Sequence, residues 1–433
     1  MSTNNISVRQ FTGYSLTVTQ AVKQQMLDWG NQFNICCFMD NHGYAGKHQR
    51  YECILAAGDW KWIRLQSGNA FALLKAFYDH EQEWLFGHFG YDLKQETEQV
   101  PSLLPDKTGF PDCYFFVPEH LLLVAGGQLL ISSHSASPDR IIQEVLSMPR
   151  KQESACPPVT LVAGMDRSEY IQKVEALKAH IHRGDCYEIN FCQEFSAGNV
   201  VIDPVQTYRR LAGISPNPFS VYYQLNELHL LCASPERFLQ VDKGTLLSQP
   251  IKGTAPRNPG DAGVDAELAK SLRASSKERS ENVMVVDLVR NDLSRVCEPG
   301  SVEVEELFGI YTFPQVHQMI STVKGKLRNG LKWIDAVEAG FPMGSMTGAP
   351  KKRVVELIEK YELTRRGIFS GAVGYCTPEG DADFNVVIRS IMYNAGSKHL
   401  SCLVGSGITW YADPAYEYEE CLLKAAAIIK ALG

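Results

Sequence analysis

Long apolar runs are missing. No stretch of about 18 apolar residues occurs, so the pattern holds no membrane-spanning helix. The N-terminal MSTNNISVRQ lacks the basic and apolar blocks of a secretory signal. An excess of positive charge is missing as well. The 42 Lys+Arg stand against 49 Asp+Glu, a formal net charge of -7, which argues against a general nucleic-acid binder. The 12 cysteines are scattered without a C-x-x-C, so they read as free, buried thiols in a reducing cytosol rather than a zinc or disulfide framework. Internal repeats and low-complexity tracts are absent, which excludes solenoids and disordered chains. A phosphate loop is absent too. Lys351 in FPMGSMTGAPK follows Ala-Pro, and neither Ser nor Thr comes next, so NTP hydrolysis is not indicated.

What remains is an ordinary globular composition of 433 residues, 45% hydrophobic, long enough for a large core. Apolar runs such as LLLVAGGQLLIS (121–132) predict antiparallel strands in the first 150 residues. MPRKQESACPPVT (148–160) is polar and Pro-rich, a candidate linker. Asp166 and Glu169 have capping-box spacing before Tyr170, Val174, Leu177 and Ile181, which recur at helical period. LHLLCA, RFLQV and TLLSQP read as strands, with a turn at Asp242-Lys243-Gly244. SKERSENVMVVDLVRNDLSRV (276–296) predicts a second long helix. NVVIRSIMY (385–393) and HLSCLVG (399–405) predict a hairpin. Asp413-Pro414 opens a last helix. Without regular β-α alternation, the pattern favours one α+β body.

Four sets of residues could carry chemistry. Glu278 and Glu281 lie three apart on one helix, and Glu417 and Glu420 three apart on another, so each pair shares a helical face. Two such faces together would offer hard oxygen donors suited to Mg²⁺, whereas apart they are solvated acidic surfaces. No E-x-x-H accompanies them, which disfavours a di-iron site. Lys252, in QPIKGTAPR, reads as a strand-end lysine. It becomes a nucleophile if a desolvated pocket holds its pKa down, and is otherwise a surface cation. Glu236, in ASPERF, could act as a general acid if burial raises its pKa, or could pair with Arg237. Arg389, inside an apolar run, needs an anion. A substrate carboxylate and a structural Asp or Glu fit equally well. Gly-rich turns at 341–351 and 405–410 could cradle an anion with backbone N–H groups.

The blocks CASPERF, QPIKGTAPR, SENVMVVDLVRNDLSRV, FPMGSMTGAPKKRVVELI, IFSGAVGY and GSGITW, in this order, resemble the chorismate-utilising enzymes. The resemblance covers about 160–433, and more loosely the N-terminal part through FGHFGYDL and PDCYFF. It implies an α+β fold of two antiparallel sheets packed face to face with helices outside. Residues 1–150 would contribute strands to the same body as the catalytic region 160–433. P-I-K-G-T resembles the aminodeoxychorismate synthase branch, where anthranilate synthases usually carry Ala. The resemblance then implies that Lys252 attacks C2 of chorismate while Glu236 protonates the leaving 4-hydroxyl, before ammonia adds at C4. It implies Mg²⁺ on Glu281 and Glu420, supported by Glu278 and Glu417. Arg389 and Tyr375 would grip the enolpyruvyl carboxylate. Gly405, Gly407 and Thr347 would contact substrate, and Lys424 would pair with Glu420 or with substrate. It also implies a separate glutamine amidotransferase subunit as ammonia source, in the cytoplasm.

Departures from the family pattern accompany it. The His expected before the Ser321-Thr322 block is replaced in register by Gln318, with His317 one residue early. Glu188, in GDCYEINFCQEF, stands where relatives often have Gln and where isochorismate and salicylate synthases have a catalytic Lys. That disfavours water addition at C2, and nothing in the sequence explains the Glu. No tryptophan-feedback block of the anthranilate synthase kind is evident. Two rival readings are anthranilate synthase component I, which Lys252 disfavours, and a non-catalytic chorismate-binding paralogue. The paralogue would be expected to have lost Lys252, Glu236 or a metal Glu.

Overall fold

The computed structural model describes residues 9–44, 46–149 and 158–433. The first part holds β1 (Thr12–Tyr14), α1 (Gln20–Gly30), β2 (Ile35–Asp40), β3 (Cys53–Leu65), α2 (Ala70–Glu81), β4 (Leu85–Phe89), α3 (Lys94–Thr97), β5 (Cys113–Ala125), β6 (Gln128–Ser133) and α4 (Pro138–Ser147). There follow β7 (Val162–Ala163), α5 (Arg167–His182), β8 (Glu188–Ala197), α6 (Pro204–Ile214), β9 (Phe219–Leu225), β10 (Leu228–Ser234), β11 (Arg237–Asp242), β12 (Thr245–Gln249), β13 (Ile251–Pro256), α7 (Ala262–Ala274) and α8 (Ser276–Ser294). The last part holds β14 (Glu303–Thr312), β15 (Val316–Lys326), α9 (Trp333–Gly340), β16 (Gly348–Ala349), α10 (Lys351–Tyr361), β17 (Ala372–Cys376), β18 (Ala382–Asn385), β19 (Ser390–Asn394), β20 (His399–Ile408) and α11 (Pro414–Ala431).

Local chemistry sets many boundaries. Asp166 caps α5 by accepting from the Glu169 N–H at 2.8 Å. Asp413 caps α11 by accepting from Ala415 and Tyr416, with Pro414 at the first helical position. Gly126 and Gly127, at φ of 57° and 77°, close the β5–β6 hairpin in the left-handed geometry such turns need. Most of the linker predicted at 148–160 lies outside the described residues.

The strands form one antiparallel system that branches at β5. Its C-terminal half pairs with β6 and its N-terminal half with β4. One branch runs β5-β3-β2-β9-β10-β19-β20-β8. The other runs β4-β17-β18-β11-β12-β15, with β13 and β14 also on β15. Period-2 alternation separates two cores. Ile54, Ala56, Leu121, Leu123, Leu230 and Cys232 of the first branch share a core with Leu239, Val241 and Leu246 of the second. Their neighbours Leu55, Leu122, Val124, Leu231 and Ala233 face outward onto Met26, Val145, Leu177, Leu211 and Ile428 of the covering helices. Burying each such Leu, Ile or Val stabilises by roughly 1.5–3 kcal/mol. Cys36 and Cys37 alternate in the same way and face different cores. The N-terminal strands are woven into both branches, β2 beside β9 and β4 beside β17.

One expected strand breaks. Residues 386–389 separate β18 from β19, and Arg389 sits at φ 50°, so it is not inside a strand. The β19–β20 hairpin forms, in the register Met392↔Ser401.

Candidate active site

Lys252 is the second residue of β13, not the end of a strand as expected. Pro250, which has no N–H for a ladder, interrupts the chain between β12 and β13. Asn282 on α8 donates to the Lys252 carbonyl at 3.4 Å, and Ser321 on β15 donates to Asn282 at 2.6 Å. The ammonium forms a salt bridge with Glu188 on β8, its side chain 13% exposed. Burial lowers its pKa, but Glu188 and Glu281 outweigh that and push it up. The lowered pKa that the sequence suggested for a nucleophilic lysine is therefore not what the resting site holds.

Glu236 sits in the two-residue connection between β10 and β11. Its N–H donates to the Ser234 hydroxyl at 3.2 Å, and its carbonyl accepts from Val386 at 3.0 Å. Its carboxyl is buried and pushed up to about 7 by desolvation, against hydrogen bonds from Ser345 and the Ile251 backbone and the charges of Lys252 and Arg389. It is not neutralised by Arg237, which forks onto Asp383 at 2.9 and 3.0 Å.

Arg389 is held at the strand break by its carbonyl, which accepts from Ala233 at 3.1 Å. Among the described residues its guanidinium has no hydrogen-bond or salt-bridge partner. Burial lowers its pKa, opposed by Glu236. The structural carboxylate partner that the sequence left open is not there, so the fork is available to an anion. Thr347 is fully buried. Its hydroxyl donates to the Met343 carbonyl at 2.9 Å, and its own carbonyl accepts from Asn190 at 2.7 Å. Gly407 packs directly on the Lys252–Glu188 pair. The Gly405 carbonyl accepts from Lys424 at 2.9 Å, and Lys424 also pairs with Glu420 at 2.6 Å.

The four glutamates of α8 and α11 lie in one electrostatic neighbourhood. Burial pushes Glu281 up to about 7, and raises Glu278 and Glu417, each with a neighbouring glutamate adding to the rise. Glu281 Oε1 is buried without a partner, while Glu417 accepts from Ser406. Yet among the described residues no three acidic, His or Cys side chains converge as a metal-holding group. The four carboxylates thus stand as separate oxygen donors, with no preformed cluster among the described residues. Glu417 accepts from the Ser406 hydroxyl on β20, and Glu420 pairs with Lys424.

Other expectations fall outside the site. Tyr375 does not join Arg389. Alternation along β17 turns its ring against Tyr51, Trp84 and Phe86, beside a separate cavity of about 60 Å³. His317 bonds Asp265 at 3.1 Å and Thr312 at 3.0 Å, on the α7 side of β15. Gln318 is buried, its Oε1 without a partner. Sequence reasoning missed Ser345, Asn282 and Arg366. The last, fully buried against Glu362, donates to the Met346 carbonyl at 2.7 Å and the Asn190 carbonyl at 2.8 Å, tying the 343–347 loop to β8. Only the polar character of RRG at 365–367 hinted at it.

The family model of chorismate binding enzymes matches residues 34–430. The chain belongs to the chorismate-binding enzyme family. Among relatives, the aminodeoxychorismate synthase component 1 of Klebsiella aerogenes is 38% identical over 348 residues, 80% of this chain and 76% of that protein. That of Escherichia coli K12 is 35% identical over the same shares. The anthranilate synthase component 1 of Thermus thermophilus is 34% identical, over 80% of this chain and 76% of the relative. The crystal structure of anthranilate synthase component I from Streptococcus pneumoniae aligns with a TM-score of 0.78 at 25% identity, over 89% of this chain and 95% of that one. The menaquinone-specific isochorismate synthase of Escherichia coli shares the fold of this chorismate-binding enzyme, with a TM-score of 0.75 at 18% identity, over 98% of this chain and 94% of that one.

Proposed function

We propose that this chain is the chorismate-aminating component of an aminodeoxychorismate synthase, forming 4-amino-4-deoxychorismate from chorismate and ammonia. The observation that carries the reading is a buried acid with a pKa of about 7 beside a buried lysine and an arginine fork without a protein partner. Relatives bearing that name over 80% of the chain support it.

Lys252 attacks C2 of chorismate. The ring double bonds shift, and the 4-hydroxyl leaves as water with the proton of Glu236. Ammonia then adds at C4, the C2–N bond breaks, and the lysine is regenerated. Arg389 binds one substrate carboxylate through its planar fork. Gly405, Gly407 and Thr347 shape the wall of the site. Mg²⁺ suits the carboxylate donors. Glu281, with its partnerless oxygen, and Glu420 would hold it, with Glu278 and Glu417 behind them. When bound, the ion neutralises the second substrate carboxylate and fixes the ring. Ammonia comes from a separate glutamine amidotransferase subunit, in keeping with relatives named as component 1. The eleven cysteines among the described residues are all free and buried, which suits the reducing cytoplasm. This reading feeds 4-aminobenzoate and folate formation.

Purified chain incubated with chorismate, Mg²⁺ and ammonium should yield aminodeoxychorismate, identified by mass and retention. Anthranilate as the product would overturn the reading.

A further inference from the structure

We infer that Glu188 is the proton acceptor that frees Lys252 for attack. The inference rests on the reading of Lys252 as nucleophile given above.

An ammonium has no lone pair, so Lys252 must lose a proton before it can bond to carbon. Its side chain is 13% exposed, and the wall above it is closed. A Cβ placed on Gly407 would lie 2.8 Å from Lys252 Nζ and 2.9 Å from Glu188 Oε1, so β20 lies directly over the pair. Solvent base therefore has poor access, and the acceptor must be a group already in place. Three carboxyl groups bear most strongly on Lys252: Glu188 from β8, Glu236 from the β10–β11 connection and Glu281 from α8. Glu278, also on α8, feels its charge more weakly. Glu236 must carry a proton to release water from C4, so it cannot accept one first. Glu281 belongs to the acidic cluster and makes no salt bridge to Lys252. Glu188 alone touches the ammonium among the described residues. Its second oxygen, Oε2, is buried without a partner. A buried orphan acceptor is costly, and a structural ion pair would satisfy both oxygens.

The protons balance. The Lys252 ammonium passes one to Glu188, leaving a free amine and a carboxylic acid. The amine bonds to C2 while the C4–O bond breaks, and the oxygen departs as water with the proton of Glu236. The adduct is a secondary ammonium. When ammonia bonds to C4 and the C2–N bond breaks, the lysine leaves as a neutral amine. The product ammonium returns a proton to Glu236, and Glu188 returns its proton to Lys252. No external base is consumed.

This makes a specific kinetic claim. A pair that shares one proton offers a constant fraction of free amine across the pH range in which it holds that proton. A lone buried lysine does not. In Glu188→Gln, kcat/KM should therefore climb about tenfold per pH unit on the acid side. The wild type should be flat there. Glu188→Asp, which keeps a carboxylate, should restore the flat limb at a lower rate. A second readout needs neither metal nor substrate. Carbamylation of Lys252 by cyanate, followed by peptide mass spectrometry, reports the free amine. Its rate should be flat with pH on the acid side in the wild type and climb about tenfold per pH unit in Glu188→Gln, as for a lone lysine. Glu188→Gln with the wild-type pH profile and wild-type labelling would overturn the inference. Lys252→Ala separates this from the reading beneath it. If that variant keeps full activity, the nucleophile reading fails whatever Glu188 does. If it is inactive while Glu188→Gln behaves as wild type, only the present inference fails.

Discussion

Two regions of this molecule are both rich in charge, and they use it oppositely. In the cavity near Tyr375 the charges are matched. Lys23 bonds Asp40 and Glu52 at 2.8 Å, Arg50 bonds Asp381 at 2.6 Å, and Arg237 forks onto Asp383. Around Lys252 the matching stops. Among the described residues Arg389 has no side-chain partner, burial pushes Glu236 up to about 7, and Glu281 keeps an orphan oxygen. A space of about 20 Å³ beside Glu236 and Ser345, lined also by Asp292, is smaller than the 60 Å³ near Tyr375, and Lys252 lines neither. Volume alone does not pick out the chemically active region. Unmatched buried charge selects the right one, because a folded chain tolerates it only where a ligand supplies the missing half.

Four variants probe the difference between the two regions. The largest effect belongs to the matched side. Arg237→Ala leaves the largely buried Asp383 without its counter-charge, with only the Gln240 amide at 3.2 Å, which should cost about 3–5 kcal/mol in denaturant unfolding. Next comes Glu236→Gln, which should lower kcat by roughly 10²–10⁴. If the acid form of Glu236 protonates the leaving group as proposed, wild-type activity should fall as pH rises through about 7. The Gln variant should lack that alkaline limb in its pH–rate profile. Arg389→Ala should raise the chorismate KM by roughly 10–100-fold, the loss of charge-assisted bonds worth about 1.5–3 kcal/mol. Its unfolding midpoint should not drop, since no protein partner is abandoned. Should Arg389→Ala destabilise the fold as Arg237→Ala does, the distinction between the two arginines collapses. His317→Ala is the smallest, about 1 kcal/mol of stability from its bonds to Asp265 and Thr312, with turnover unchanged.

Helices were legible where capping chemistry is local. Asp166, Asp413-Pro414 and the Asp242-Lys243-Gly244 turn announce themselves within four residues. Arg389 misled because it is flanked by the apolar stretches VVI and IMY, without polar alternation. Continuous apolarity conceals a break that alternation would have revealed, and β-branched residues on both sides mimic one long strand. Tyr375 was misplaced because strand parity cannot be read until the partners are known. A one-residue ambiguity puts a side chain on the opposite face. The family blocks brought Lys252, Glu236 and the glutamates into one region on paper. The sequence could not show that Glu188, 64 positions from Lys252, is its ion-pair partner. That contact depends on β8, β13 and β20 meeting in three dimensions. It reverses the expected direction of the Lys252 pKa, and it explains what a Glu does at a position the motif left unexplained.

The central claim is that Lys252 does the bond-making. Its most direct test is the rate of aminodeoxychorismate formation by Lys252→Ala, with chorismate affinity measured calorimetrically on the same preparation. The account predicts retained binding and a loss on the order of 10³-fold or more, as expected when a nucleophile is removed. Full turnover by Lys252→Ala would contradict it.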